Sequence, residues 1–229
     1  INIDVEEKPT GEISAGAGVG TNGGSFAIAI SENNWLGSGT IVDFEIEVDQ
    51  ETLIGTFNYT DPNYNFMGNS INYFLSSTSN DKPDQGFENT VVSTGAKISF
   101  EQYKNLFTSL GLAASYDDLR TVGTASNSLK KQAGEFSELS ANYGLKYDVR
   151  DRAFMPTRGG VFGFSQTIPL FADKSYISNS INASKYKTIT ENIIGSSKLF
   201  ISTINGLNDD DVRLSKRVNL SPKRLRGFK

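Results

Sequence analysis

The sequence predicts an antiparallel all-β fold in which each strand pairs with the next as an up-and-down meander. Three observations predict it. Apolar and polar residues alternate along most of the chain after residue 10, which is the two-residue period of a strand. Helical periodicity with capping residues is absent from residues 11–205. The connections alternate in character, which is typical of strands that cross a membrane in turn in a transmembrane β-barrel.

The composition excludes most familiar catalytic chemistry. The 229 residues include no cysteine and no histidine and carry a formal net charge of −4. Disulfides, thiol catalysis, the usual zinc sites and Ser-His-Asp triads are therefore excluded. The mild acidity gives no reason to expect nucleic acid as a partner. We expect a protein that is not an enzyme and has no cofactor or metal.

Membrane helices and a leader are not predicted. The chain has no run of about 18 apolar residues, and its first residues lack the charged and apolar segments of a signal peptide. Residence in a membrane through β-strands stays possible, because alternating strands keep the average hydropathy low.

The first predicted strand contains a motif that also occurs in nucleotide-binding proteins. Gly18–Gly23 spells G-x-G-x-x-G. In a phosphate-binding turn these glycines must open a helix, whose free N–H groups hold the anion. The residues that follow alternate instead, with Phe26, Ile28 and Ile30 on one face. We therefore predict a hairpin that turns at residues 21–24, where Asn-Gly is a preferred turn dipeptide.

The same alternation continues to the end of the predicted sheet. Leu139–Arg150 carries six alternations, more than a usual globular strand contains. Lys185 and Lys198 fall on otherwise apolar faces, which makes the last two strands less regular. The pattern predicts eleven strands, at residues 11–20, 24–32, 39–49, 52–60, 69–78, 90–101, 105–117, 138–150, 159–170, 178–188 and 193–205.

The third predicted strand carries an acidic row on one face, opposite large apolar side chains. This row consists of Asp43, Glu45, Glu47 and Asp49. Placing four carboxylates in lipid would cost kilocalories each near the membrane centre. We therefore predict that the acidic row faces the lumen of the barrel.

The even-numbered connections carry aromatic residues, as a membrane interface does. These are Trp35, Tyr64, Phe66, Tyr103 and Phe154. We expect short turns on this side and longer loops on the other, where Ser79–Thr90 and Leu119–Phe136 read as polar insertions. A soluble sandwich with aromatic turns is the alternative at this point.

Five motifs, in this order, resemble the outer-membrane protein assembly superfamily. They are EEKPTGEISAGAGVG, NNWLGSGT, YTDPNY, YDVRDRAFMPTRGGVF and LRGFK. The resemblance covers nearly the whole chain and implies a barrel of about sixteen strands. It implies that residues 1–9 end the last periplasmic POTRA module, that residues 10–207 form the N-terminal part of the barrel, and that residues 208–229 are an extracellular loop with an Arg-Gly-Phe motif.

Two departures from the family pattern bear on these expectations. Relatives often carry a Gly-Gly pair before the Arg-Gly-Phe motif, whereas this chain has Asn219–Arg224 there, so the path of the loop is expected to differ. Eleven is also an odd number of strands, and bacterial single-chain barrels close with an even number. We therefore expect an incomplete barrel, a piece of a longer polypeptide.

The function that the resemblance implies is the folding and insertion of β-barrel proteins into the bacterial outer membrane, with the N-terminus on the periplasmic side. The implied partners are outer-membrane lipids, unfolded β-barrel clients and accessory assembly lipoproteins, without nucleic acid. An exposed edge strand can template client strands. We predict that the first strand is a labile seam, because Ile13 is one of its few large side chains and Gly16, Gly18 and Gly20 weaken its ladder. Alternatively, the glycines accommodate curvature or a neighbouring aromatic.

The Arg-Gly-Phe motif is the second predicted site. The resemblance implies that its loop enters the lumen, where Arg226 can bind a carboxylate through two parallel hydrogen bonds. Gly227 allows the close turn, and Phe228 can pack against the wall. The alternative is a solvated basic loop or one that contacts anionic lipid, since Arg213–Lys229 contains seven cations and no acid.

Two other functions stay open. One is a polypeptide-secretion pore of the same superfamily, of the two-partner secretion type. The other is a barrel fused to a hydrolase, which nothing in the sequence supports, because a histidine and a nucleophile elbow are both missing.

Overall fold

The structure is a computed structural model that describes residues 8–20, 23–208 and 211–218. These residues form one antiparallel sheet of eleven strands, each paired with its sequence neighbours in the order β1 to β11. The predicted all-β, up-and-down fold is confirmed. The strands are β1 (Gly11–Gly20), β2 (Gly23–Trp35), β3 (Thr40–Val48), β4 (Thr52–Asp61), β5 (Ser70–Lys82), β6 (Phe87–Tyr103), β7 (Leu106–Thr121), β8 (Gly134–Asp148), β9 (Gly159–Ala172), β10 (Tyr176–Thr190) and β11 (Ile193–Gly206).

Helical structure is confined to two short elements in the described part of the chain. The α-helix α1 (Asn127–Lys130) lies between β7 and β8, and a 3-10 helix (Leu214–Lys216) follows β11. Within the described ranges, no helix is both long and apolar enough to cross a membrane.

The sheet has one polar and one apolar face, because side chains alternate along each strand and cross-strand partners project to the same side. On β3, Phe44 lies on the apolar face and Glu45 on the polar face. The apolar face continues across the sheet through Leu53, Leu75 and Leu112, which are 51%, 51% and 54% exposed. So many exposed large side chains on one face require an apolar surrounding.

The strands in the middle of the sheet are longer than the sequence predicted. β6 has 17 residues and therefore extends about 57 Å. The predicted insertion Ser79–Thr90 is mostly ladder and leaves a turn at residues 83–86, and the insertion Leu119–Phe136 leaves residues 122–133. Both insertions are shorter than predicted, and the second remains the longest connection of the sheet. Polar side chains on both faces of the strand ends hide the alternation there, while the backbone pairing continues.

The odd- and even-numbered connections do not differ in length as predicted. The longest even-numbered connection covers residues 149–158 and the longest odd-numbered one residues 122–133, while most others have two to four residues. The even-numbered connections all lie at the edge where β1 begins, which we call the N-terminal rim. The five predicted aromatic residues lie at this rim, and Phe66 is 93% exposed.

The hairpin between β1 and β2 replaces the suspected nucleotide turn. Gly20 pairs with Gly23, whose φ of +97° favours glycine, and residues 21 and 22 lie outside the described residues. The chain then continues as a strand, so the glycine motif opens no helix. At the other end of the sheet, Lys185 lies on the apolar face, opposite Gly160. Lys198 lies on the polar face, opposite Ser184, which corrects the prediction for that lysine.

Candidate functional site

The predicted seam strand is the first edge of the sheet. Among the described residues, β1 pairs on one side only, with β2. Ile13 projects from its apolar face and is 73% exposed. Gly16 and Gly18 lie on the polar face, opposite Ala27 and Ser25. A Cβ added to Gly16 would meet no atom within 4 Å, so this glycine does not make room for a neighbouring aromatic ring.

The acidic row lies on the polar face. Asp43, Glu45 and Glu47 project from β3, and Asp43 accepts a hydrogen bond from Ser31 Oγ (2.6 Å). Asp49 follows the end of the strand, where its Oδ1 accepts the Glu51 N–H (2.8 Å) in a turn. Asp49 therefore lies directly after β3, at the end of the row. The other three carboxylates line one face beside the β1 edge.

A second charged site lies on the same face, farther along the sheet. The chain after β11 lies against β7 and β8 and places Arg213 between two carboxylates there. Arg213 Nη1 is 3.1 Å from Asp117 Oδ2, and Nη2 is 3.2 Å from Glu138 Oε2. The three residues are 5%, 1% and 6% exposed. This group, with Lys216, is called the Arg213 cluster below.

The Arg213 cluster and the acidic row share one row of the ladder. Starting at the acidic row, the cross-strand partners on successive strands are Glu47, Ile54, Thr78, Val91 and Asp117. Cross-strand partners share a face, so both groups of carboxylates lie on the polar face.

Each carboxylate of the cluster is held by the sheet and by the docked segment. Asn89 Nδ2 donates to Asp117 Oδ1 (2.6 Å), and Ser215 Oγ donates to its Oδ2. Glu138 accepts from the Tyr176 hydroxyl (2.9 Å) and forms an ion pair with Lys216 (3.1 Å). Two cations thus balance two carboxylates, which is what buried ions require.

Aromatic rings complete the surroundings of the two cations. The Arg213 guanidinium carbon lies 4.8 Å from the centre of the Phe136 ring, and Lys216 Nζ lies 5.6 Å from that of Tyr176. Arg213 Nε is buried and has no hydrogen-bond partner among the described residues. The ion pairs and hydrogen bonds of this group join the segment to the wall, so it acts as a clamp between them. Among the described residues, no group of three or more His, Cys, Asp or Glu could hold a metal ion.

The sequence analysis missed the Arg213 cluster. It treated Arg213 only as the start of a basic run and proposed Arg226 as the docked arginine. Arg226, Gly227 and Phe228 lie outside the described residues. The available signal was Asp117, the last residue of the predicted seventh strand, which keeps the phase of the polar side of β7.

The comparison with protein families identifies the chain. A family model described as the Omp85 superfamily domain matches residues 34–229. The chain belongs to the Omp85 superfamily. The resemblance found in the five sequence motifs is thereby confirmed.

Two Omp85-like relatives place the fold in context. The sorting and assembly machinery component 50 homolog of Mus musculus is 24% identical over 216 residues, which are 92% of this chain and 45% of that protein. The crystal structure of BamA from Haemophilus ducreyi lacking POTRA domains 1–3 superimposes with a TM-score of 0.77 at 19% identity, over 92% of this chain and 44% of that one. At this identity the likeness shows the barrel fold alone. The chain spans less than half the length of either relative.

Proposed function

We propose that this chain is the N-terminal part of an outer-membrane barrel that folds and inserts other β-barrel proteins, in bacteria. Membership of the Omp85 superfamily supports the proposal. So do the names of the two relatives, one of which is a component of a sorting and assembly machinery. Unfolded barrel proteins are then the clients, and accessory assembly lipoproteins are further partners.

The height of the apolar face is the main observation that supports a location in the outer membrane. On β7 this face runs from Leu106, opposite Tyr147, to Tyr116, opposite Ser137. The ten residue steps between them extend about 34 Å along the strand, or about 26 Å across the membrane at a strand tilt of about 40°. Outer-membrane barrels carry an apolar band of about 25 Å. We propose that the N-terminal rim faces the periplasm, where its aromatic residues would meet the lipid interface.

The β1 edge supports a mechanism in which a labile seam templates client strands. Its unpaired N–H and C=O groups can add a strand. Gly16 and Gly18 give it little to pack, and large residues such as Ile13 are mostly exposed. Strands that open at low cost can exchange partners with an incoming client.

The docked segment 211–218 supports an inward path for the chain after β11. The Arg213 cluster holds this segment on the polar face, where a barrel has its lumen. We propose that the Arg-Gly-Phe motif continues this path and that Arg226 binds a carboxylate in the lumen. In the full-length protein, Arg226→Lys should make the loop protease-sensitive and weaken assembly, whereas wild-type resistance and assembly in Arg226→Ala would refute the docking.

Client folding in proteoliposomes tests the function. Full-length protein in lipid vesicles should accelerate the folding of a urea-unfolded client barrel relative to empty vesicles, measured by the gel mobility of the unheated, folded client. A rate equal to that of empty vesicles would reject the proposal. A client that is transported into the vesicle unfolded would indicate a secretion pore instead.

A pair of glycine variants separates the seam mechanism from the general function. A Cβ meets nothing within 4 Å at either Gly16 in β1 or Gly55 in β4. Gly16→Val should stabilise the edge strand by up to about 1 kcal/mol and thereby slow client folding. Gly55→Val, away from the edge, should leave the rate of client folding unchanged. If both variants fold clients at the wild-type rate, templating by β1 is wrong while the insertion function stands.

A further inference from the structure

An apolar groove crosses the outer side of the sheet beside the N-terminal rim. It has a volume of about 370 Å³, at the small end of ligand pockets. Its walls are Tyr147 on β8, Val149 directly after β8 and Phe162 on β9, and Lys185 lies at its edge. Tyr147 pairs with Phe162, so these rings lie on the apolar face, the side that the proposed function turns to lipid.

A glycine, Gly160, forms the floor of this groove. Gly160 lies opposite Lys185 on β10, and its carbonyl accepts the Val149 N–H (2.9 Å). A Cβ at Gly160 would approach the Ser184 carbonyl oxygen to 2.8 Å. Backbone rather than side chain therefore lines the middle of the groove, and the neighbouring side chains leave a slot between them.

Lys185 lines the groove, and two further cations lie close to it along the chain, toward the N-terminal rim. Lys185 and Lys187 project from the same face of β10, and Arg158 directly precedes β9. All three are exposed. Among the ion pairs of the described residues, none involves these cations. Clustered cations without acids attract a negative partner.

The turn at residues 149–158 fixes the backbone of Arg158 in this position. Asp151 Oδ1 accepts the N–H groups of Thr157 (3.0 Å) and Arg158 (3.2 Å). Thr188 Oγ1 donates to the Thr157 carbonyl oxygen (3.2 Å), which ties the turn to β10. Two acids of this region are engaged, Asp151 in this turn and Asp148 with Arg150 on the polar side of the sheet, whereas Glu191 lies exposed in the turn after β10.

We propose that this groove and its three cations bind a phospholipid with an anionic headgroup, from the leaflet on the side of the N-terminal rim. An acyl chain would lie in the groove against Tyr147 and Phe162. The headgroup phosphate would lie between Arg158 and Lys185, because lysines on a lipid-facing surface extend their ammonium toward the headgroups. The proposal rests on the lipid-facing orientation of the apolar face and concerns a site apart from the β1 edge and the Arg213 cluster.

Lipid retention by the full-length protein tests the site. Native mass spectrometry of the detergent-solubilised protein would compare dioleoyl phosphatidylglycerol with dioleoyl phosphatidylcholine. We expect tighter binding of phosphatidylglycerol and a loss of about 25-fold in its affinity in Arg158→Gln/Lys185→Gln, since a basic residue near an anionic lipid surface contributes about fivefold. Lys198→Gln removes an exposed cation from the polar face and is the matched control, with unchanged binding expected.

Two further measurements separate the alternatives. Inorganic phosphate should not displace the lipid at millimolar concentration, because it cannot use the groove, and Phe162→Ser should weaken both lipids. Displacement by inorganic phosphate would overturn the lipid assignment. Equal retention of the two lipids, or wild-type retention by the double variant, would overturn the site. Client folding is measured on the same preparations. Accelerated folding together with a failed lipid test would overturn the lipid site and leave the proposed function standing.

Discussion

Replacing Arg213 tests whether the Arg213 cluster holds the chain after β11 on the polar face. Arg213→Met keeps a long apolar stem but leaves Asp117 and Glu138 with one cation, Lys216. Removing one partner of a buried ion pair costs about 3–5 kcal/mol. Both carboxylates keep other hydrogen-bond donors, including Asn89 and Tyr176, so the low end of this range applies, about 3 kcal/mol.

Thermolysin cleavage of the folded full-length protein measures this loss. A loss of about 3 kcal/mol in the free energy of opening raises the open population of the segment by about 150-fold. If the free energy of opening in the wild type is smaller than this loss, the segment opens fully. The cleavage rate within residues 211–218, followed by mass spectrometry, rises in proportion when opening is fast relative to cleavage. Arg217→Gln is the matched control, because Arg217 is exposed and its side chain donates only to the Val212 carbonyl oxygen among described residues.

A compensating variant tests the charge balance itself. Arg213→Met/Asp117→Asn leaves one carboxylate, Glu138, facing one cation, Lys216, so the buried charge is again neutral. We expect this double variant to recover part of the protection, about 1–2 kcal/mol. Wild-type cleavage in Arg213→Met, or no recovery in the double variant, would refute the reasoning.

Three further predictions concern other parts of the sheet. Amides of β1 (Gly11–Gly20) should exchange with solvent faster than those of β8 (Gly134–Asp148), because the glycine-rich edge opens more readily, and equal protection would argue against a labile seam. A nitroxide at Phe44 should be quenched by lipid-soluble oxygen and one at Glu45 by a water-soluble reagent, and the reverse pattern would invert the two faces. The hydrogen bond from the Thr157 hydroxyl lowers the pKa of Asp151 to about 2 from 3.8, so the turn at residues 149–158 should loosen as the pH falls from about 4 through 2. Amide exchange in that turn measures the loss, and Asp151→Asn should abolish the pH dependence over this interval.

The fold was predictable because its signal is local. Alternating apolar and polar residues mark each of the eleven strands in the sequence. In β2, the alternation of Phe26, Ile28 and Ile30 was enough to exclude a phosphate-binding helix in favour of a hairpin. The acidic row followed from the same period, since Glu45 and Phe44 must face opposite sides. What failed was the length of the central strands, because polar residues on both faces remove the period that marks a strand.

The Arg213 cluster on the polar face could not be predicted from the sequence. Arg213 meets Asp117 from 96 residues away and Glu138 from 75. Neither carboxylate belongs to a motif, and a run of cations is usually a solvated surface. The groove at Gly160 was equally hidden, since it depends on which residues of β8 and β10 flank one glycine.

The sequence by itself therefore determined the class of fold, the number and order of strands and the face on which most side chains lie. These properties follow from alternation, turn residues and the pairing of each strand with the next. Only the tertiary structure decided which distant charges meet and where the surface leaves a slot. Both depend on the register between strands and on the path of the chain after β11, and register is a relation between segments that no single segment encodes.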